Sequence, residues 1–336
     1  MKNVTIYDVA KACNCTTTTV SKVFHNVGRI SEAKAQHIRE VAAEMGYFPS
    51  AVAVSLASKT SHTIGVIVHN ADNMGLTHML FSRIFNEFRM GMESKGYEIL
   101  ILAQYNKNLG GTYLQRFRSK GLDGVFCLCC DYSQPEIQEL LGSDIHMVCF
   151  DTDFGTYSIT SDSITATEDL TDYLLSLGHK KILYVHPKAL ASVSVLRLKG
   201  YKKALAKAGL TIDEKLIFDY DYFNSKSAAI IYAHYLECKG DFSAIMCPDD
   251  YTAAALISYF SAHGVNVPSD ISITGFDGIF DPRFQVPSIT TMQQNTALIG
   301  DEACHLMIDA MSGGKEPQRH IVVPTTLFCG GSTRKI

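Results

Sequence analysis

The sequence contains no long hydrophobic run, which excludes a membrane-spanning helix. Among its 336 residues the most apolar segments, Ile99–Ala103 and Val125–Cys130, have only the length of strands, whereas a membrane helix needs roughly 20 residues. The first residues also lack the apolar core of a secretory signal. We therefore expect the protein to work in the cytoplasm, with no membrane partner.

Glycine and proline are not enriched, and charged residues are moderate in number. The 24 glycines and 9 prolines exclude collagen-like and low-complexity chains. Hydrophobic residues make up 46% and charged residues 19%, so the chain can bury a core and is not disordered. The length predicts about two domains with a remainder.

The ten cysteines lack the spacing of a zinc site. The one CxxC pair is Cys127–Cys130, and no second pair accompanies it. Most of the cysteines lie in apolar segments, so we expect buried free thiols. The sequence predicts no metal site and no cofactor.

The net charge of −4 is distributed unevenly. Residues 1–60 carry seven lysines and arginines against four acids, a net charge of +3, which leaves −7 for the rest. This asymmetry is typical of a small basic module attached to an acidic body.

Three short helices are predicted in the first 46 residues. Apolar spacing predicts helices over Val4–Cys13, Thr17–Phe24 and Glu32–Met45. Asn14 stands where a helix–turn–helix corner needs a left-handed residue, and Gly46 ends the third helix. A generic three-helix bundle would fit the same periodicity.

The second predicted helix has an unusual polar face. It presents Thr17, Thr18, Ser21 and Lys22, whose short polar and basic side chains suit base edges and phosphates. The alternative is a weakly helical polar surface with no partner. After Pro49, residues 50–58 form an apolar stretch too short to be a stable helix alone.

From Thr63 onward, apolar strands alternate with amphipathic helices in two similar series. This alternation predicts parallel sheets covered on both faces, with a ligand cleft at the carboxyl ends of the strands. The predicted fold is thus a small all-α helix–turn–helix head joined to a two-lobed α/β core. The expected boundaries are 1–48 for the head, 49–62 for a hinge, 63–160 with 291–320 for the first lobe, and 161–290 with 321–330 for the second.

Several motifs in this order resemble the LacI/GalR family of bacterial repressors, over nearly the whole chain. They are residues 4–24 (VTIYDVAKACNCTTTTVSKVF), 45–49 (MGYFP), Leu56, 64–68 (IGVIV), 177–185 (LGHKKILYV), 197–201 (RLKGY) and 271–277 (ISITGFD). The resemblance implies a core similar to periplasmic sugar-binding proteins. It also implies a homodimer that clamps a pseudo-palindromic double-stranded DNA operator and responds to a small effector, a sugar or sugar derivative by expectation. Sugar phosphates, nucleosides and purines remain open alternatives.

The resemblance assigns DNA contacts to the head and hinge. Base contacts fall to Thr17, Thr18 and Lys22, and Leu56 resembles the lever that enters the minor groove. Phosphate contacts are expected from Thr5, Tyr7, Ser21, Arg29 and Ser31. Ser50 and Val54 depart from the residues usual at these hinge positions, which puts the strength of the hinge contact in question.

The resemblance also assigns the effector site. Arg197 resembles the arginine that grips the effector, and Asp277 the acid that accepts from ligand hydroxyls. A salt bridge between the lobes is the alternative role for this pair. Asp249 stands where the family usually has asparagine, which changes the hydrogen-bonding pattern. Further cleft positions are His69, Asp151, Phe223 and Gln294.

Two other classes of function compete with this one. A small-molecule-binding protein without a DNA role would not need the basic head. An enzyme would need an acid–base site such as Asp249, Asp250 and Asp277 with His69, but no Walker loop, GxGxxG, GxSxG or HExxH motif occurs. No leucine heptad supports a tetramer, so a dimer is expected.

Overall fold

A computed structural model describes residues 4–24, 28–48, 60–69, 75–102, 111–153, 157–187, 192–220, 226–238, 240–313 and 319–336. The chain divides into two compact units, Met1–Thr63 with Lys120–Asp123, and Ile64–Ser119 with Gly124–Ile336. Each unit is described by itself.

The described residues of the first unit form three helices, α1 (Ile6–Ala12), α2 (Thr17–Phe24) and α3 (Glu32–Met45). Helix α1 begins two residues later than predicted, because Thr5 precedes it and gives both its amide and its hydroxyl to the carboxylate of Asp8 (2.8 and 2.7 Å). Helices α2 and α3 have the predicted bounds.

Local signals define the ends of these helices. Asn14 takes the left-handed conformation (φ 47°) and Gly46 ends α3 with φ 70°. The Thr16 hydroxyl accepts from the Thr19 amide at 3.2 Å and so caps α2. The three helices bury a common core that includes Val9, Val20 and Ile38, each fully buried.

The second unit is built on two six-stranded sheets, which define a first and a second lobe. The first sheet has the order β11-β5-β4-β3-β1-β2 and the second β12-β10-β9-β8-β6-β7. The strands are β1 (Thr63–His69), β2 (Glu98–Ile101), β3 (Gly124–Cys130), β4 (Met147–Phe150), β5 (Tyr157–Ser161), β6 (Ile182–Pro187), β7 (Ile217–Tyr220), β8 (Ala244–Met246), β9 (Ser272–Asp277), β10 (Thr290–Gln294), β11 (Arg319–Val323) and β12 (Thr325–Phe328).

Helices cover the sheets. They are α4 (Met79–Ser94), α5 (Tyr113–Lys120), α6 (Pro135–Leu141), α7 (Ser163–Ser176), α8 (Ser192–Lys207), α9 (Ser227–Glu237), α10 (Asp250–Ala262) and α11 (Thr296–Met311). Strand pairs β1–β3, β3–β4, β4–β5 and β5–β11 are parallel in the first sheet. In the second sheet β10 pairs parallel with β9 and antiparallel with β12. The predicted α/β architecture with mainly parallel sheets is confirmed.

The chain crosses between the lobes three times, after β5, after β10 and after β11. The last two crossings differ from the expected boundaries at 290/291 and 320/321. Thr290–Gln294 continues the ladder beside β9 and so belongs to the second sheet, and Asn295 then caps α11 by accepting from the Leu298 amide (3.1 Å). Arg319–Val323 pairs along its whole length with β5, so the third crossing follows residue 323.

Some elements begin earlier than predicted because aspartates cap them. Helix α7 starts at Ser163, not Asp169, since Asp162 accepts from the Thr165 amide (3.0 Å). In the same way Asp249 caps α10, whose first residue is Asp250 instead of Thr252. Six further elements of the structure are not among those predicted from the sequence, namely α6, β5, β10, α11, β11 and β12.

Each lobe has its own apolar core. In the first, Phe88 of α4 packs on Phe126 of β3 with ring centroids 4.5 Å apart, and both are fully buried. In the second, Tyr184 and Tyr201 stack at 4.9 Å. Burying such a side chain contributes roughly 1.5–3 kcal/mol. No helix of the described ranges is long and apolar enough to cross a bilayer.

The cysteines are free thiols. Cys127 and Cys149 face each other on neighbouring strands β3 and β4 and are fully buried. The pKa of each thiol is raised well above its ordinary value, by hydrogen bonding to a neighbouring thiol and by burial. These thiols are therefore poor nucleophiles.

Candidate functional site

Helix α2 is amphipathic, with one apolar and one polar face. Val20 and Val23 are buried against the other two helices, whereas Thr18 and Lys22 are exposed and Thr17 is half-buried. Of the residues predicted to meet base edges, Thr18 and Lys22 therefore lie on the side of α2 that faces away from the core, and Thr17 lies at its border.

The side chain of Lys22 passes over the backbone of Gly28. A Cβ atom at Gly28 would lie 3.3 Å from Lys22 Cδ, and Gly28 has a positive φ of 85°. Glycine at this position thus allows the positive φ and leaves room for the methylene groups of the Lys22 side chain.

The predicted phosphate contacts are distributed over the head. Tyr7 is exposed to 74% and Arg29 and Ser31 are exposed, whereas Ser21 is half-buried. The Thr5 hydroxyl donates to Asp8, so a phosphate contact from Thr5 would compete with that bond. Ser31 precedes α3, where exposed backbone amides also attract anions.

The side chains of three predicted residues lie outside the described part of the structure. Leu56 and Phe223 fall in undescribed segments, and the side chain of His69 is likewise outside the description. Their assigned roles stay predictions.

In the core, Arg197 of α8 reaches the carboxyl ends of the strands of the second sheet. Its guanidinium carbon lies 3.6 Å from the centroid of the Phe276 ring, a cation–π contact. One terminal nitrogen donates to the Pro248 carbonyl oxygen (2.8 Å), and the other lies 3.9 Å from Asp277 Oδ1. Its Nε is buried without a hydrogen-bond partner. The guanidinium therefore packs against the Phe276 ring, and its Nε–H group remains free to donate a further hydrogen bond.

Asp277 ends β9 in a strained and buried position. Its φ is 104°, in the region that favours glycine, and 4% of the residue is exposed. Burial raises its pKa well above the ordinary value, an effect that Arg197 partly opposes. Strain of this kind costs about 1–3 kcal/mol and accumulates at functional sites. Because Arg197 and Asp277 both belong to the second lobe, the alternative of an ion pair between the lobes is wrong.

A hydrogen-bonded chain connects Asp277 to the first lobe. Gln294 at the end of β10 donates from Nε2 to Asp277 Oδ1 (2.6 Å) and accepts from the hydroxyl of Ser161 (2.5 Å). Ser161 ends β5 of the first sheet. These hydrogen bonds therefore lie beside two of the crossings between the lobes.

Asp249 follows β8 and caps α10. Its Oδ1 accepts from the Thr252 amide (2.6 Å), while its Oδ2 is buried with no hydrogen-bond partner. The neighbouring Asp250 accepts from the Ile279 amide (2.9 Å), and burial raises its pKa to about 7. A side chain at Gly275 would collide with Asp250 Oδ1, so glycine makes room for this carboxylate.

Asp151 approaches the same cluster from the first lobe. It follows β4 with a φ of 61°, and burial raises its pKa to about 6 while the charge of Arg197 opposes that rise. The structure thus brings together five of the seven predicted effector residues, namely Arg197, Asp277, Asp249, Gln294 and Asp151.

Contacts between the lobes involve residues that the sequence analysis did not predict. Arg83 of α4 donates to the carbonyl oxygens of Gly278 (3.2 Å) and Ile279 (2.7 Å). The buried ring of His78 packs on Tyr251 with centroids 4.9 Å apart. Burial lowers the pKa of His78, and Asp249 partly opposes that change. Because the partners are more than 170 positions apart in the chain, no local pattern could have paired them.

Known proteins agree with this architecture. Residues 5–50 match the model of bacterial regulatory proteins of the lacI family, and residues 171–333 match a periplasmic binding protein-like domain. A Photobacterium profundum protein described as HTH-type transcriptional repressor PurR is 32% identical over 324 residues, covering 94% of each chain. A Vibrio atlanticus protein with the same description is 28% identical over 326 residues, again with 94% of each covered.

Solved structures share the fold at lower identity. The lac repressor dimer bound to operator and the anti-inducer ONPF superposes with a TM-score of 0.84 at 22% identity, over 99% of this chain and 100% of that one. A complex of the regulator CelR with cellobiose has a TM-score of 0.70 at 21% identity, over 98% and 100%.

The helix–turn–helix unit, the two-lobed core and these relatives define one class of protein. The chain belongs to the lacI family of bacterial regulatory proteins and is a transcriptional repressor rather than an enzyme. The resemblance noted in the sequence is confirmed.

Proposed function

We propose that this repressor binds a pseudo-palindromic operator as a homodimer and that a small molecule in the cleft sets its affinity for DNA. One observation carries the proposal. A buried arginine with an unused donor lies among carboxylates at the carboxyl ends of parallel strands, in a chain that also has a helix–turn–helix unit. Ligands bind at this edge of such sheets.

In the proposed complex, α2 lies in the major groove. Thr17, Thr18 and Lys22 would contact base edges, and a lysine in this position can donate to guanine O6 and N7. Leu56 of the hinge would enter a base step of the minor groove and bend the duplex.

The phosphate contacts would orient the head without specifying a sequence. They fall to Thr5, Tyr7, Ser21, Arg29 and Ser31. The exposure of Tyr7, Arg29 and Ser31 supports this role, whereas Thr5 would exchange its bond to Asp8 for one to phosphate.

The proposed effector site consists of Arg197, Asp277, Asp249, Gln294 and Asp151, with His69 and Phe223 as further members. Carboxylates accept from hydroxyl groups and the guanidinium donates to ring or hydroxyl oxygens. This mixture suits a sugar or sugar derivative, which is the effector class we propose. Sugar phosphates, nucleosides and purines are the competing classes.

A surface of the second lobe supports the dimer. Phe284 and Val286 are 83% and 97% exposed beside a groove of about 440 Å³ that α10 lines with Ala254, Ile257 and Ala262. Large apolar side chains that are exposed together at the surface mark interaction sites. We assign this surface to a second copy of the chain; the lac repressor structure of similar fold is described as a dimer.

A ligand screen followed by DNA binding tests the proposal. Sugars, sugar phosphates, nucleosides and purines are added to the full-length protein in thermal melts. A ligand at a hundred times its dissociation constant should add about 2.7 kcal/mol of stability. That compound should then change the affinity for DNA selected from a random duplex pool. Failure to retard any duplex would overturn the proposed function.

A further inference from the structure

Within the described residues, the cleft contains more carboxyl groups than cationic groups. Asp151, Asp249 and Asp277 meet there, and within the described residues Arg197 is the cation whose charge acts on Asp151 and Asp277. The His78 imidazole does not compensate Asp249, because burial lowers its pKa and favours the neutral ring. Among the described residues, these three carboxyl groups, with Asp250 beside them, therefore share one guanidinium.

Asp249 is the member with an unsatisfied oxygen. The residue is 1% exposed, and its Oδ2 has no hydrogen-bond donor although Oδ1 caps α10. A buried acceptor without a donor is unfavourable, because its lost hydrogen bond to water is not replaced. Unlike an asparagine amide, a carboxylate only accepts. The missing partner must therefore be a donor.

The charge balance selects among donors. A ligand hydroxyl would satisfy Oδ2 but would add no positive charge beside these carboxyl groups, whose charged forms are disfavoured in a site of low dielectric. An ammonium group supplies up to three donors together with a positive charge. Arg197, with Nε unused, remains available for the ligand's oxygen atoms.

We propose that the effector is a small polyhydroxy compound carrying a protonated amine, of which an amino sugar is the simplest form, and that Asp249 receives the amine. This inference rests on the proposed function of the cleft. Asp277 and Arg197 then hold the hydroxyl groups, and Asp151 of the first lobe adds a second carboxylate to the cation.

Matched probes test the class of ligand. Binding of D-glucosamine, D-galactosamine and D-mannosamine to the full-length protein is compared by calorimetry with binding of D-glucose, D-galactose, D-mannose and N-acetyl-D-glucosamine. Putrescine provides a cation without hydroxyls, and adenine an uncharged amine. At least one hexosamine should bind about tenfold or more tighter than its parent hexose, as expected when a charge-assisted bond replaces a neutral one.

Two variants localise the effect. Asp249→Asn retains a good helix cap and should reduce the preference for the amine over the hydroxyl by about tenfold. Asp144→Asn removes the same charge from an exposed residue before β4, at the opposite edge of the first sheet, and should leave the preference unchanged.

Three results would overturn the amine class. The first is that an uncharged compound binds more tightly than every hexosamine. The second is that no hexosamine binds at all. The third is that the preference for the hexosamine over its parent hexose is unchanged in Asp249→Asn. Retardation of operator DNA by the same preparation would show that the DNA-binding function stands despite that outcome. If the wild-type protein retards no DNA, the proposed function itself is wrong.

Discussion

Asp250 should make the stability of the core depend on pH. Its carboxylate is 1% exposed and accepts from the Ile279 amide, and burial raises its pKa from the ordinary 3.8 to about 7. The folded state thus holds the proton more tightly than the unfolded state. The resulting stability is complete below about pH 4 and is lost as the pH rises towards 7.

The size of the effect follows from these two values. Between about pH 5 and about pH 8 the wild type should lose roughly 2–3 kcal/mol from this group. Asp250→Asn does not titrate, and its amide oxygen can still accept from Ile279. The variant should therefore gain thermal stability relative to the wild type as the pH rises, by several degrees at about pH 8.

Thermal melts across this pH range provide the assay. Asp144→Asn serves as a control, because Asp144 is exposed and the neighbouring Arg118 lowers its pKa. If the difference in melting temperature between Asp250→Asn and the wild type stays constant with pH, Asp250 is not a buried carboxyl group with a raised pKa.

Three further predictions concern DNA binding and assembly. Lys22→Ala should weaken specific operator binding by about 1–3 kcal/mol and leave binding to random DNA unchanged; equal losses of affinity for operator and random DNA would refute the role of Lys22. Arg29→Ala should weaken binding to operator and to random DNA alike and reduce the salt dependence of the affinity. Leu56→Ala should reduce operator affinity and the bend angle of the duplex; an unchanged bend, measured by electrophoretic phasing, would contradict this. Val286→Asp should shift the protein towards a monomer in analytical ultracentrifugation without unfolding it, and an unchanged dimer would exclude that surface.

Local signals account for the parts of the fold that the sequence predicted well. The bounds of α2 and α3 follow from the cap at Thr16, the stop at Gly46 and apolar spacing, all of which act over a few residues. The strand–helix alternation predicted the two-lobed core for the same reason.

Long-range pairing explains what the sequence did not predict. Strand β11 is stabilised by pairing with β5, from which more than 150 residues separate it, so its own sequence does not reveal it. Helix α11 is an exception, because its buried residues Ile299, Ala303, Leu306 and Ala310 recur at helical spacing and so left a local signal in the sequence. The contacts of His78 and Arg83 across the lobes, like the pairing of β11 with β5, join residues that are far apart in the chain.

The candidate cleft residues came from resemblance, not from periodicity. The structure adds the physical detail: the cation–π contact of Arg197, the positive φ of Asp277 and the unpaired oxygen of Asp249. None of these follows from residue types alone, because each depends on how β8, β9 and α8 meet.

We propose that a ligand bound at Arg197 and Asp277 controls the DNA affinity of the same chain. Operator affinity should be measured through a titration of the ligand found in the screen, with wild type, Arg197→Ala and Asp277→Asn side by side. We predict that both variants fold and bind operator yet lose the response, because a ligand shifts DNA affinity only through its differential affinity for the two states of the core. A variant that responds with the midpoint and amplitude of the wild type would contradict the account.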